Sequence, residues 1–441
     1  MSSRSVLGAI ICLLPGVSIA ATSPLSIPDT PAGHTLGAWL AAFNSGDRER
    51  IESFDKTHAP WLAIDRAMEL RAHTGGYELQ SIDRSGKLWI VFRAKLKAGP
   101  SQISGSLVVK PDDPDAISLL LLNPAGTEPD VVTLTAAERD QVIEGAAKRL
   151  AEFYLAPKLA QKMAAALRTQ QKRGDYRDIT NSEVLAARLT DDLRAISNDK
   201  HVSVHFSRDV VPPDPTDTPD QNPDTDTRLR ERLEASNCGF ERAEHLPPNI
   251  GYLKINLFAE PGICAPTASA AMAFLANSDT LIFDLRDNHG GSPRMAALIS
   301  SYLFAMPTHL DDSFDRQKNA TVQLWTDPYS PGRKFTDKPV FVLTSRKTFS
   351  SAELFSYDMK TLKRGTLIGE TTGGGAHTVA PHRLGDHFFI EVPFGGFVNP
   401  LTGTDWEGTG VEPDIKVDAA DALDEALKRA RDQTESEGSP R

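Results

Sequence analysis

The 441-residue chain has little of several features that define whole classes of protein. Three cysteines are too few for a small disulfide-framed fold, and 31 glycines and 30 prolines without a repeat exclude a collagen-like rod. With 40% hydrophobic residues the chain is not wholly disordered. No basic run stands out from the net charge of -11, so we expect no nucleic-acid partner.

Long apolar runs are also missing, because no segment after the first 21 residues reaches about 18 apolar residues. We therefore expect no stable membrane insertion. Residues 1–21 place Arg4 before an apolar run, 6–14, and end in small residues. This order is typical of a secretory signal peptide cleaved after Ala20 or Ala21, with an uncleaved anchor as the alternative. We predict an exported protein, either periplasmic or extracellular.

The three cysteines leave few pairings. Cys12 lies in the predicted signal peptide, so Cys238 and Cys264 remain. An exported protein can join them in a disulfide, and two buried free thiols are the alternative. Neither has a pair of histidines nearby, so the sequence predicts no zinc site and we expect no metal or cofactor.

The first part of the mature chain combines two periodicities. Apolar residues recur at helical spacing within 34–56, and strand-like runs follow up to Leu122. Helices before antiparallel-looking strands predict a small α+β domain over 30–125. The segment LAAFNSGD with these strands resembles the cone-shaped, cystatin-like fold of nuclear transport factor and ketosteroid isomerase. Asp65 and His73 are the acid or base candidates there, and we expect both to be surface side chains.

The middle of the chain changes from helix to a segment that regular structure tolerates poorly. A capping-box pair, Thr135 and Glu138, opens a long helical pattern. Residues 211–227 then hold five prolines and five aspartates. We interpret 211–227 as an extended, mobile linker or a surface loop. The sequence thus predicts a helical subdomain over 133–206 and a Pro/Asp-rich linker over 207–248.

From residue 249 strands and helices alternate. This order predicts βαβ units around a mostly parallel sheet, hence an α/β core over 249–430, followed by a polar tail over 431–441. Functional sites in such sheets lie at the carboxyl ends of the strands.

Two of these strand ends carry unusual residues. LIFDLRDNHGGSP ends a buried strand in Gly290 and Gly291, whose backbone N–H groups can approach a ligand. PVFVLTSRKTFSSAELF places Ser350 at a helix start, where positive potential and free amides suit a nucleophile whose attack builds an oxyanion. Taken singly, the first can be an ordinary strand-to-helix turn, and Ser350 with Glu353 can be a capping box.

Together with GTLIGETTGGG (365–375) and GTDWEGTGVEPDIKV (403–417), the two strand ends resemble the tail-specific, or C-terminal-processing, serine protease family. The helical stretch that ends in DKHVSVHF resembles the N-terminal part of its tricorn-core and interphotoreceptor retinoid-binding branches. The resemblance implies a ClpP/crotonase-like core preceded by a helical subdomain.

The family has two catalytic arrangements. Ser350 matches the nucleophile of both. The Ser–Lys branch has its lysine 25 positions later, where this chain has Gly375. The other branch uses Ser, His and Glu, and the resemblance assigns these roles to His201 of NDKHVSV and Glu407 of WEGTGVEPD.

This assignment makes coherent chemistry. A serine hydroxyl is a weak nucleophile, so His201 would take its proton, and Glu407 would orient and stabilise the imidazolium. The oxyanion donors would be the N–H groups of Ser351 and of Gly290 or Gly291.

Other histidines compete for the role of base. His205 lies four residues beyond His201 on the same strand face, and His289 lies in the glycine turn. His377 and His382 follow the glycine-rich turn where the lysine is absent.

We therefore expect a serine peptidase that forms an acyl-enzyme on Ser350 and cleaves peptides or unfolded protein tails. The alternative is a catalytically silent protein that binds a hydrophobic ligand on the same fold, and a third hypothesis places the function in the α+β domain. The 42 residues of 207–248 leave no room for the PDZ domain that many family members insert there. The oligomeric state stays open.

Overall fold

The computed structural model describes residues 26–62, 64–124, 134–213 and 223–438. The predicted signal peptide lies outside these ranges, as does much of the Pro/Asp-rich stretch. The chain forms two compact units. The smaller contains residues up to Leu107 together with 120–127, and the larger contains 108–119 and the chain from Glu128 onward.

The N-terminal elements are three helices followed by four strands. Thr30 caps the first helix by accepting a hydrogen bond from Gly33 N–H at 3.1 Å, and Pro31 stands at its first position, where no N–H is needed. The helices are α1 (Pro31–Ser45), α2 (Arg48–His58) and α3 (Ile64–Thr74). The strands form one sheet in the order β1 (Tyr77–Ser85), β2 (Trp89–Leu96), β3 (Gln102–Val109) and β4 (Ile117–Pro124). This is the predicted α+β order, and the cone-shaped resemblance stays a prediction.

The helical subdomain begins with the predicted capping box. Glu138 N–H donates to Thr135 Oγ1 at 3.2 Å, and Thr135 N–H donates to Glu138 Oε2 at 2.9 Å. Its elements are α4 (Ala136–Phe153), α5 (Pro157–Arg173), α6 (Ser182–Ser197) and β5 (Ser203–Phe206). The next helix, α7 (Pro223–Ala235), packs with the core instead.

The core contains a six-stranded sheet in the order β15-β12-β11-β8-β7-β6, which is parallel except for β6. Alternate side chains of β11 point to opposite faces: Val340 and Val342 pack with α8, α9 and α10, whereas Phe341 and Leu343 pack with α11. Apolar burial on both faces is what holds a parallel sheet. The elements are β6 (Phe240–Leu246), β7 (Ile250–Ile255), α8 (Pro261–Phe274), β8 (Thr280–Asp284), α9 (Pro293–Ser300), β11 (Val340–Thr344), α10 (Ser351–Thr361), β12 (Thr366–Gly369), β15 (Ile415–Lys416) and α11 (Ala422–Gly438).

A second sheet connects the helical subdomain to the core. Its order is β10-β9-β14-β13, and β5 pairs antiparallel with β14, with Phe206 opposite Phe388 and Ser203 opposite Glu391. This pairing places the segment that carries His201 in the same compact unit as Ser350. The strands are β9 (His309–Asp315), β10 (Ala320–Trp325), β13 (His377–Arg383) and β14 (Phe388–Val398).

Two segment boundaries differ from the sequence prediction. The predicted linker over 207–248 contains regular structure, because α7 begins at Pro223 and β6 begins at Phe240. Proline is tolerated at a helix start, and β6 is an edge strand with exposed polar side chains, so neither stands out in the sequence. The core therefore begins before residue 249, and α11 extends through most of the predicted polar tail.

Candidate active site

The two unusual strand ends lie side by side. Ser345 Oγ donates to Arg286 O at 2.5 Å, and Thr348 Oγ1 donates to Leu285 O at 2.8 Å. Phe349 N–H donates to the carbonyl oxygen of Asn288 at 3.0 Å. These bonds hold the turn before Ser350 against the turn that contains the paired glycines.

Ser350 has a backbone conformation that an ordinary N-cap residue does not adopt. Its φ of 54° and ψ of -123° differ from the extended conformation usual at that position. A positive φ at a residue other than glycine costs of order 1–3 kcal/mol and is concentrated at functional sites. Ser350 N–H donates to Glu353 Oε2 at 2.8 Å, so the glutamate half of the expected capping box is present. A serine on a strained strand-to-helix turn is typical of an exposed nucleophile.

The glycine turn touches the serine turn directly. Gly290 has a φ of 102°, and a Cβ there would lie 2.7 Å from Ser350 Cβ and 3.1 Å from Ser351 N. Only glycine allows this approach. Gly290 N–H already donates to Asn288 Oδ1 at 2.8 Å, which favours Gly291 as the oxyanion donor from this turn. Ser351 N–H, in the first turn of α10, has no intrahelical acceptor and lies beside this turn.

His201 lies in the turn between α6 and β5, beside Phe349. Its ring centroid is 4.6 Å from that of Phe349, the residue before Ser350. The side chain is only 7% exposed, and within the described residues neither ring nitrogen has a hydrogen-bond partner. Burial lowers the pKa of His201 to about 4, so its imidazole is neutral at pH 7, as a general base must be.

Gly375 provides the space that His201 occupies. A Cβ on Gly375 would lie 2.6 Å from His201 Cε1 and 2.3 Å from Phe349 Cζ. Gly375 is also the position at which the Ser–Lys branch has its lysine. With His201 in place, this position has no room for a side chain.

Glu407 does not bond to His201 in this structure. Its Oε2 accepts the N–H of Ala376 at 2.6 Å and lies 3.5 Å from His377 Nδ1. His377 Nδ1 is in turn 2.8 Å from Asp199 Oδ2. Burial alone would lower the pKa of His377, but the hydrogen bond to Asp199 and the charges of both carboxylates outweigh it and raise that pKa. The imidazole of His377 therefore lies between two carboxylates.

Asp199 is a site residue that the sequence reasoning missed. One of its oxygens accepts the His201 backbone N–H at 2.9 Å, and the other accepts the Tyr154 hydroxyl at 3.0 Å and contacts His377. It is buried and connects the backbone of His201 to His377. The only sequence signal was an aspartate two residues before a histidine, a spacing that favours a local turn.

Glu353 was predicted only as a capping residue, but it has four partners. Besides the bond from Ser350 N–H, its carboxylate accepts a hydrogen bond from the Thr372 hydroxyl at 2.5 Å. It also accepts hydrogen bonds from the N–H groups of Gly374 and Gly375 at 2.6 and 2.8 Å. Glu353 therefore joins the Ser350 turn to the glycine-rich turn. Burial raises the pKa of Glu353 to about 7, although these donors act in the opposite direction.

The remaining histidine candidates have other surroundings. His205 contacts Ser203 Oγ at 2.7 Å and Glu391 at 3.5 Å, and His382 stacks on Phe153 at 4.0 Å. His289 is exposed in the glycine turn.

One group in the described part of the chain has the spacing of metal ligands. Asp199, His377 and Glu407 each offer one atom, and these atoms lie within 4.8 Å of one another. His377 already joins the two carboxylates, and we assign no metal to the group. Within the same ranges, none of the helices has the length and apolar character that a bilayer-spanning segment requires.

A strained serine at the start of a helix, paired glycines beside it and a buried neutral histidine define a serine-hydrolase type of site. Residues 249–417 match the family described as peptidase family S41, and residues 129–236 match the N-terminal domain of peptidase S41 in eukaryotic IRBP. These two ranges cover more than half of the chain, which belongs to the S41 peptidase family.

Several curated proteins are similar over part of their length. The tricorn protease of Thermoplasma volcanium is 29% identical over 144 residues, which are 32% of this chain and 13% of that protein. The chloroplastic C-terminal processing peptidase of Tetradesmus obliquus is 28% identical over 194 residues, 42% of this chain and 39% of that protein. The chain thus spans less than half the length of these relatives.

Solved structures with a similar chain course include peptidases. A putative peptidase from Parabacteroides merdae aligns with a TM-score of 0.46 at 19% identity, over 66% of this chain and 96% of that one. The photosystem II D1 C-terminal processing protease aligns with a TM-score of 0.39 at 15% identity, over 65% of this chain and 94% of that one.

Proposed function

We propose that this chain is an exported serine peptidase with Ser350 as nucleophile and His201 as general base. The observation that carries the proposal is the meeting of three turns at one point. The strained Ser350 turn contacts Gly290, and the glycine-rich turn leaves the space at Gly375 in which His201 lies beside Phe349.

The proposed reaction proceeds through an acyl-enzyme. Ser350 Oγ attacks the carbonyl carbon of the scissile bond while His201 takes its proton. The negative charge that develops on the carbonyl oxygen is stabilised by the N–H groups of Ser351 and Gly291. His201 then gives the proton to the leaving amine, the peptide bond breaks, and a water activated by His201 hydrolyses the ester.

Glu407 takes part in this proposal as one member of a charged group. His377 Nδ1 lies 2.8 Å from Asp199 Oδ2 and 3.5 Å from Glu407 Oε2, so Glu407 acts through its contact with His377. The carboxylate of Asp199 raises the pKa of His201 and His377 lowers it, and the effect of Asp199 is the larger of these two. Asp199 therefore favours the imidazolium that His201 becomes when it takes the serine proton.

Two features support export and a peptide substrate. Cys238 and Cys264 form a disulfide, which persists in oxidising compartments, in agreement with the predicted signal peptide. The similar curated proteins include C-terminal processing peptidases, and on that basis we propose peptides or unfolded protein tails as substrates.

A fluorophosphonate probe with peptide mapping by mass spectrometry tests the proposal. We expect one adduct, on Ser350, that is absent from Ser350→Ala and strongly reduced in His201→Ala. His205→Ala is the matched control, because that histidine lies on β5 close to His201 in the chain but contacts Ser203 Oγ. Cleavage of an unfolded protein should follow the same order. Full activity of Ser350→Ala would refute the assignment, and an unlabelled wild type would favour the alternative of a hydrophobic-ligand-binding protein.

A further inference from the structure

The smaller unit contains a cavity of about 310 Å³ within its own fold. Side chains of α1, α2, α3 and β4 line it, and most of them are apolar. A cavity of about 150 Å³ is enough to admit benzene, so this one has room for a ring with a short chain.

Aromatic rings form much of the cavity wall. Trp39 and Phe43 stack on each other with centroids 5.5 Å apart, and Phe54 and Trp61 complete the aromatic set. Trp61 and Leu70 are 47% and 38% exposed although both are large and apolar, and both line this cavity. The cavity therefore opens to solvent at an apolar edge.

One acidic side chain of this wall has a buried oxygen that lacks a hydrogen-bond partner among the described residues. Asp55 on α2 is only 6% exposed, and within the described ranges its Oδ2 atom is buried and receives no hydrogen bond. Burial raises the pKa of the Asp55 carboxyl to about 6, with no donor to offset it. A buried carboxylate without a partner costs several kcal/mol in stability, so its presence needs an explanation.

We propose that this cavity binds a small apolar amine, whose ammonium group donates a hydrogen bond to Asp55 and whose apolar body packs among the aromatic rings. An ammonium supplies the donors and the positive charge that Asp55 lacks. The faces of aromatic rings also attract cations. An alcohol of the same shape carries no charge and would lack this attraction.

Arg66 is the basic residue of the cavity wall, and it suggests the alternative hypothesis that the cavity binds an anion. It is exposed, and no ion pair joins it to Asp55 in the part of the chain that the structure describes. If Arg66 governed recognition, the cavity would prefer an anion to a cation. The charge of the bound ligand therefore distinguishes the two readings.

The test is calorimetric titration of the full mature protein with phenylbutylamine, phenylbutanol and phenylbutyrate, which share one apolar body. We expect one site per chain, with the amine bound about tenfold or more tightly than the alcohol and the carboxylate weakest. Equal binding of amine and alcohol, tighter binding of the carboxylate, or no saturable binding would each overturn the proposal.

Two variants locate the site. Asp55→Asn keeps the shape of the side chain but removes its charge, and should abolish the preference for the amine. Asp65→Asn is the matched control, because Asp65 is an exposed acid of the same unit. A preference that persists in Asp55→Asn contradicts the proposal. If Asp55→Asn does not fold, the order of the three probe affinities for the wild type still tests the proposal.

The inference does not depend on peptidase chemistry. Ser350→Ala should bind the amine as the wild type does, because Ser350 lies in the other compact unit. Loss of amine binding in Ser350→Ala would place the ligand at the candidate active site and refute the cavity assignment.

Discussion

His201 is unusual among histidines because it is almost enclosed and its ring has no hydrogen-bond partner in the described residues. Removing water from the ring disfavours the charged imidazolium, which lowers the pKa from its ordinary 6.5 to about 4. His201, the proposed base, therefore stays neutral over a wider acidic range than an exposed histidine does. The same burial affects stability. As pH falls from 6.5 toward 4, the histidine becomes protonated in the unfolded chain but not in the folded chain, so the free energy of unfolding decreases.

The pH dependence of catalysis should reflect this burial. We expect the acidic limb of kcat/KM to lie near pH 4 to 5, well below 6.5, since only protonation of His201 removes the base. A pH–rate profile on a peptide substrate measures it. Phe349→Ala exposes the ring and should move the limb toward 6.5. A wild-type limb between pH 6 and 7 would contradict the assigned burial of the base.

Gly375 offers a second residue-scale test. In Gly375→Ala the new methyl group overlaps His201 and Phe349, so we expect kcat/KM to fall by about 10²-fold or more through displacement of the base. Gly262→Ala is the control, because a Cβ at Gly262 meets nothing within 4 Å, and it should keep wild-type activity. Melting temperatures of both variants separate misfolding from misplacement. Unchanged activity in Gly375→Ala would mean that His201 does not need this space.

At the scale of elements, α10 presents Ser350 and also contributes half of a buried acid pair. Asp358 on α10 and Asp311 on β9 are both fully buried. Burial raises the pKa of Asp311 to about 6. Burial and the charge of Asp311 raise the pKa of Asp358 well above its ordinary value. A carboxyl whose pKa is raised by folding contributes stability only while it stays protonated, and this contribution falls as pH rises above the unfolded value of 3.8.

Asp358→Asn should therefore become more stable relative to the wild type as pH rises. The amide imitates the protonated acid and cannot lose a proton, so the difference in Tm should grow by a few degrees between about pH 5 and 8. Thermal melts at several pH values measure it, with Asp312→Asn, next to the pair but partly exposed, as the control. Parallel curves for Asp358→Asn and wild type would contradict the raised pKa of Asp358.

At the scale of the whole molecule, a covalent bond closes a segment that the sequence suggested was linker. The Cys238–Cys264 disulfide joins the start of β6 to α8 across a sequence separation of 26 residues. Both cysteines are buried in the same apolar cluster as α10. The bond therefore keeps the segments that form the sheet edge and α8 close together even when the chain is unfolded.

Loss of this disulfide should lower stability by about 3 kcal/mol, as expected when a loop of this length is no longer closed in the unfolded state. Urea unfolding of the wild type with and without reductant measures it. The double variant Cys238→Ser and Cys264→Ser should match the reduced wild type and be insensitive to reductant. An equal midpoint for oxidised and reduced wild type would mean that the bond does not stabilise the fold.

Local patterns in the sequence determined much of this protein. The capping box of α4, the alternation of strands and helices in the core, and the position of Ser350 at a helix start depend on residues that are neighbours in the chain. The edge strand β6 and helix α7 escaped prediction for the same reason, because polar side chains on an edge and a proline-rich helix start give a weak local signal.

What only the tertiary structure decided are the contacts between distant segments. The sequence placed Glu407 with His201, but the fold brings Glu407 to His377, and His377 to Asp199 across 178 residues. The burial of Asp55 in an apolar wall likewise depends on elements that pack from several parts of the chain. Charge, burial and free space at a side chain are set by everything that packs around it, and no local pattern contains that information.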